Sequence, residues 1–164
     1  RVGPPTASTQ PAQRSLSMIA KNCEGKLPQP GPFSPADEAL LTAAADLTGK
    51  VRAELDQQAF NRALEAIWQV VGQGDRYIDE QAPWSLRKTD MARMGTVLYV
   101  VAETVRRVAI LIQPFMPASA GRLLDQLGVA PERRGFAELA AGRALEPGTA
   151  LPKPEGVFPR YLEA

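Results

Sequence analysis

The chain contains no histidine. Histidine supplies most general acid–base chemistry near neutral pH and many transition-metal sites, so serine-type triads and the usual zinc patterns are excluded. There is one cysteine, Cys23, which rules out an internal disulfide and suits a reducing compartment, with the cytoplasm as the default. With no histidine to activate it, that thiol reads as a small core residue rather than a nucleophile. Surplus charge is missing too. Nineteen basic residues face 18 acidic ones, a net +1, so nothing draws polyanions to the chain as a whole and any nucleic-acid contact must rest on a local cluster. The longest apolar run, 97–112, is broken by Glu103, Arg106 and Arg107 and is too short and too charged to span a bilayer. No apolar core precedes residue 15, so nothing reads as a signal peptide. A Gly-rich phosphate loop of the Walker or dinucleotide type is also lacking, and the chain by itself reads as non-catalytic.

What is present is a 164-residue chain with 45% hydrophobic residues, enough for one domain with a real core. Eleven of its 15 prolines gather in 1–11, 28–35 and 147–159, which makes both ends and one connection irregular and leaves the middle to helices. Residue 1 is Arg rather than Met, so the chain reads as cut from something longer or as lacking its native start.

Helical periodicity dominates that middle. Ala12, Leu16, Ile19, Ala20 and Cys23 predict a first helix from Pro11, with Gly25 as its cap. Ser34-Pro35-Ala36-Asp37 is a helix start, with a serine N-cap, a proline in the first turn and an acid at the third position, and it leads into a second helix over 35–55. Phe60, Ala63, Leu64, Ile67, Val71 and Ile78 place one stripe of a third helix, beginning near Gln57, toward the core, and Gly72 and Gly74 predict a bend or soft point in its second half. Asp90 is an N-cap for a long central helix to Gln113, Pro114 closes it, and 118–127 forms a shorter helix ended by Gly128, with one more turn over 136–141. The polar piece 85–89 reads as a connection. No alternating pattern supports a sheet, so the expected fold is all-α, a bundle of about five helices, divided as an atypical segment 1–11, a helical domain 12–142 and an extended segment 143–164 packed on the bundle.

The candidate site is the corner at Ala82-Pro83-Trp84, where proline stops the third helix. Trp84 either packs the edge of the core or stands as a flat platform for a nucleic-acid base. Gln10, Arg14 and Lys21 share one polar ridge of the first helix, able to touch bases and phosphates or simply to be solvated. Arg62, Arg76, Arg87, Lys88 and Arg93 are interleaved with Glu65, Asp75, Asp79, Glu80 and Asp90, a pattern that predicts ion pairs on a wet surface.

The run Arg76-Tyr77-Ile78-Asp79-Glu80-Gln81-Ala82-Pro83-Trp84, with Phe60, Ala63-Leu64 and Ile67 before it, resembles the C-terminal anticodon-binding domain of bacterial methionyl-tRNA synthetases. The resemblance continues through Ser85-Leu86-Arg87-Lys88, Glu103, Arg106-Arg107, Leu111 to Pro117, Leu127-Gly128 and Val157-Phe158-Pro159-Arg160, and covers the chain from Ala12 onward. It implies a class I synthetase helical bundle that reads the CAU anticodon of the methionine tRNA, with Trp84 matching the tryptophan that stacks on an anticodon base and Arg14 matching an arginine that contacts bases. Gln10 stands where that family has asparagine, and Asp75 where it often has asparagine before Arg-Tyr. The resemblance further implies a methionine–tRNA ligase whose ATP and methionine bind a catalytic domain absent here, with no cofactor in this chain and no membrane partner. The chain then reads as a detached C-terminal piece whose first ten or so residues stem from a wrong start, a shifted frame or a cloning junction. The other readings are a helical protein-interaction module and a truncated product without function.

Overall fold

The computed structural model describes residues 10–155 of the chain. Six helices form where the local chemistry starts them: α1 (Gln10–Asn22), α2 (Pro35–Asp56), α3 (Phe60–Gln81), α4 (Pro83–Thr89), α5 (Met91–Ile112) and α6 (Pro117–Gln126), followed by 3-10 turns at Pro131–Arg133 and Phe136–Leu139. The count exceeds the expected five because 85–89, read as a connection, is helical. Pro83 presets the first turn of α4 and its missing amide costs nothing there. Helix α2 begins on the capping box read from the sequence: the Asp37 amide donates to Ser34 Oγ at 3.3 Å and the Ser34 amide to Asp37 Oδ2 at 2.9 Å. Asp90 caps α5 by accepting from the Arg93 amide at 3.0 Å. Helix α3 starts at Phe60 rather than near Gln57 because Gln58 takes φ 58°, which no right-handed helix accommodates.

Gly72 and Gly74, where a bend or soft point is expected, lie within the second half of α3. Helix α3 runs unbroken through both, since buried Val70 on one side and Tyr77 and Ile78 on the other tie it to the core, and packing outweighs a propensity cost of about 1 kcal/mol per glycine.

Helix α5 is the axis of the bundle, packed against α1, α2, α3, α4 and α6. From Met94 to Ile112 only Val105 and Arg107 escape full burial, as a helix apolar nearly all round requires. One core cluster gathers Leu16, Ile19, Leu47, Val51, Ile67, Leu98, Leu111 and Leu124, and a second gathers Leu40, Tyr77, Ile78, Val97, Val100 and Val101. Phe60, placed inward by periodicity, is instead 56% exposed. It lies in the first turn of α3, beyond the end of the core, and packs edge-on to Phe115 with ring centroids 6.5 Å apart.

Arg106 and Arg107 on α5 share Glu103 as their partner. Arg106 donates to Glu103 at 2.9 and 2.7 Å and Arg107 at 3.2 Å, while their remaining donors reach the carbonyls of Glu138 and Leu139 at 3.1 and 3.0 Å. Glu103 also accepts from the Leu145 amide at 3.0 Å, and Tyr99 donates to the Leu145 carbonyl at 2.8 Å, so the segment after the last turn is tied to the central helix. Further on, the Leu27 amide donates to the Thr149 carbonyl and the Leu151 amide to the Gly25 carbonyl, giving one isolated antiparallel bridge, Lys26 to Ala150, and no longer strand among the described residues. No helix among the described residues is long and apolar enough to cross a membrane. The segment expected to be atypical, 1–11, lies outside the described residues except for the start of α1, as does the Val157-Phe158-Pro159-Arg160 run.

Candidate nucleic-acid interface

A single residue makes the corner. Ala82 ends α3, its amide donating to the Ile78 carbonyl at 2.9 Å, and begins α4, its carbonyl accepting from the Ser85 amide at 2.9 Å. To serve both helices it takes the left-handed conformation, φ 44° and ψ 63°, which costs a residue with a Cβ about 1–2 kcal/mol. Pro83 is buried beneath the turn, and Trp84 follows as the second residue of α4.

Trp84 thus lies inside a short helix rather than just past a long one. It is half-buried and touches both core clusters. Helix α1 packs against α4 and brings Arg14 over the indole, with the guanidinium carbon 4.1 Å from the ring centroid. That is a cation–π stack, worth about 0.5–1 kcal/mol at so open a position. The ring anchors the corner to the core and presents its remaining surface to the Arg14 guanidinium.

Gln10 is the first residue of α1, one turn before Arg14, so the backbone puts it on the same ridge; its side chain lies outside the described residues. Lys21 is exposed in the last turn of α1, about 10 Å along the axis from Arg14, and the structure does not bring it to Trp84. Arg14 and Trp84 are the pair that the fold unites.

The basic residues near the corner divide in a way their spacing did not indicate. Arg62 pairs with Glu54 at 3.2 Å, far back at the start of α3. Arg76, Arg87 and Lys88 are exposed and have no ion-pair partner among the described residues. Arg87 and Lys88 follow Trp84 by three and four positions, which on a helix is the same side. Arg93, expected on a wet surface, instead reaches the fully buried carboxylate of Asp37 with two bonds, Nη1 to Oδ2 at 2.5 Å and Nη2 to Oδ1 at 2.8 Å. Its Nη2 also donates to Gln81 Oε1 at 2.7 Å and Ser34 Oγ at 3.3 Å, and Tyr77 donates its hydroxyl to Asp37 Oδ1 at 2.5 Å.

With the Ser34 amide, Asp37 accepts four hydrogen bonds, the full capacity of a carboxylate. Burial pushes its pKa up, but the bonds from Arg93, Tyr77 and Ser34 outweigh burial and hold it at about 2. The same burial, together with the neighbouring carboxylate, pushes the Tyr77 hydroxyl well above its usual range. Nothing in the sequence pointed to this cluster. Asp37 read as a helix cap and Arg93 as a surface charge, and 56 positions separate them.

Asp75 behaves in the opposite sense. Burial and then the nearby Asp79 carboxylate push its pKa up to about 6. A carboxyl whose folded pKa is raised above its unfolded value destabilises the fold once ionised, with the cost absent below pH 4 and complete above pH 6. Asp75→Asn is therefore expected to stabilise the chain by about 1–2 kcal/mol at pH 7, after allowance for solvent screening, and by almost nothing at pH 4. Urea melts at the two pH values measure it, and an equal change at both contradicts the assignment.

The sequence of the chain matches the family model described as the anticodon binding domain of methionyl tRNA ligase over residues 27–163. It is 58% identical over 153 residues to the methionine–tRNA ligase of Brucella suis biovar 1, covering 93% of this chain and 30% of that protein. It is 56% identical over 154 residues to the methionine–tRNA ligase of Mycobacterium tuberculosis, covering 92% of this chain and 29% of that protein. Among solved structures, the fold matches the apo form of Mycobacterium tuberculosis methionyl-tRNA synthetase with a TM-score of 0.89 and 54% identity, over 92% of this chain and 31% of that one. The same synthetase bound by methionyl-adenylate matches with a TM-score of 0.88. The chain spans about 30% of the length of these relatives. A helical bundle with an indole and a guanidinium stacked at one corner, matched over nearly its whole length by this family, belongs to the anticodon-binding domains of the methionyl-tRNA ligases.

Proposed function

We propose that this chain holds the anticodon loop of a methionine-accepting tRNA and reads its CAU triplet at the Trp84 corner. The observation that carries the reading is the Arg14 guanidinium over the indole, its carbon 4.1 Å from the ring centroid. A guanidinium and a nucleobase are both planar and occupy the same face of an aromatic ring. An unpaired base can take the place of the cation, which then swings to the base edge as a hydrogen-bond donor. Stacking is tolerant of base identity, so Arg14, with Gln10 one turn before it, supplies the discrimination. Anticodon loop bases are unpaired and accessible, which suits this division of labour.

Arg87 and Lys88 serve the phosphates beside the stacked base, and Lys21, farther along α1, serves one more distant from it. Three such contacts on single-stranded RNA give a slope of log K against log salt of about −2, and removing Arg87 or Lys88 is expected to lower it by about 0.7 each. Titrations between 50 and 300 mM salt check this; a slope unaffected by either change removes those two residues from the interface.

The reading makes the chain the tRNA-binding part of a cytoplasmic ligase. Residues 12–142 form the binding domain, and the segment that follows packs along it as far as residue 155. ATP and methionine are used by the portion of the ligase that this chain does not span, and this chain contributes no catalytic residue. The test is titration with anticodon stem-loops carrying CAU or a changed first base. Tighter binding of CAU by about 5- to 150-fold is expected. Equal binding, or none to either, overturns the reading and favours a helical interaction module.

A further inference from the structure

Trp84 lies two residues past Ala82, the single residue at which the chain turns from α3 into α4. Beside the packing of α4 on α5, what fixes this corner lies on the two elements that flank α4. On the near side, the last turn of α3 contributes Tyr77 and Gln81, one turn apart and both facing α5. On the far side, the first turn of α5 contributes Arg93, its amide capped by Asp90 directly after α4 ends. Both sides grip the same buried carboxylate, Asp37, from α2. Helix α4 is therefore a short staple whose two feet are fixed to one point.

Within that clamp one bond adjoins the corner. Gln81 immediately precedes Ala82, and its Oε1 accepts from Arg93 Nη2 at 2.7 Å. The other bonds of Arg93 run to Asp37 and Ser34 and remain if Gln81 is changed. We propose that Gln81 is a positioning residue: by fixing the last turn of α3 to Arg93, it sets the direction in which α4 presents the Trp84 face to Arg14 and to an incoming base. The inference rests on the anticodon reading and adds to it a determinant of selectivity that touches no RNA.

The test compares Gln81→Met with Gln81→Glu in the full 164-residue chain. Methionine keeps the volume and removes the acceptor, whereas glutamate keeps an acceptor for the guanidinium. Urea melts establish that both variants are folded. For Gln81→Met, affinity for the CAU stem-loop is expected to fall about five- to tenfold, the net worth of one ordinary hydrogen bond, and preference over the changed-base loop is expected to shrink with it. Gln81→Glu is expected to restore both. A purely structural role moves the urea midpoint and leaves the preference intact. In a Trp68→Phe background, Trp84 emission is expected to shift in the methionine variant and to return in the glutamate one.

Gln81→Met with parental affinity and preference overturns the inference, as does a folded Gln81→Glu that fails to rescue. Trp84→Ala is titrated alongside. If it binds both loops as the parent does, the anticodon reading has failed and the inference falls with it. If it loses binding while Gln81→Met does not, the inference alone has failed.

Discussion

Trp84→Ala is expected to weaken binding of the CAU stem-loop by about 1–3 kcal/mol, roughly 5- to 150-fold, the worth of one base stacked on an aromatic ring. The same change removes a side chain that touches both core clusters, so the fold also loses about 1–2 kcal/mol of apolar burial, less than a fully buried ring because the indole is half-exposed. The two losses are separable. Trp84→Phe keeps an aromatic face and most of the packing, and is expected to retain more binding than alanine at nearly parental stability. Arg14→Ala leaves the core untouched and is expected to reduce preference for CAU more than total affinity. Binding by isothermal titration and stability by urea melts separate these effects. Full affinity in Trp84→Ala removes the stacking role, whatever the melt shows.

Arg93→Ala is expected to have the largest effect on stability, about 3–5 kcal/mol, because it leaves the Asp37 carboxylate buried without its cation. The pH dependence distinguishes this from simple loss of packing. In the parent chain Asp37 has a folded pKa of about 2, below its unfolded value, so its contribution of about 2 kcal/mol is present above pH 4 and is lost as pH falls toward 2. Without Arg93 the main support for the carboxylate is gone while burial still opposes ionisation, and the variant is expected to lose little further stability on acidification. Urea midpoints from pH 2 to pH 7 are the measurement. A parallel fall in both proteins contradicts the assignment. On the alkaline side, the Tyr77 hydroxyl is held protonated above its usual range, so its contribution is present up to pH 10 and lost above it.

These two residues also mark where the sequence stopped being legible. Trp84 was findable because its signal is local: proline after alanine ends a helix, and an aromatic at that corner faces a choice between core and solvent. Arg14 was reached through family resemblance and helical spacing, and its stack on the indole, 70 positions away, appears only when α1 crosses α4. Arg93 was misread as a surface charge because the carboxylate it meets belongs to another helix. Phe60 was misplaced because periodicity assigns a stripe to a helix without saying how far the core extends along it.

Element type and ends came from chemistry within a few residues of each other: the Ser34–Asp37 capping box, the Asp90 cap, the prolines at 35, 83 and 117, and the apolar length of α5. Such signals act through backbone hydrogen bonds and steric limits that reach no more than a turn or two, so a linear chain displays them. The α1–α4 crossing, the four bonds on Asp37 and the left-handed turn at Ala82 belong to a different order. They depend on which helices pack and at what register, and that is settled by filling one shared core at crystal-like density, a condition that no stretch of sequence meets alone.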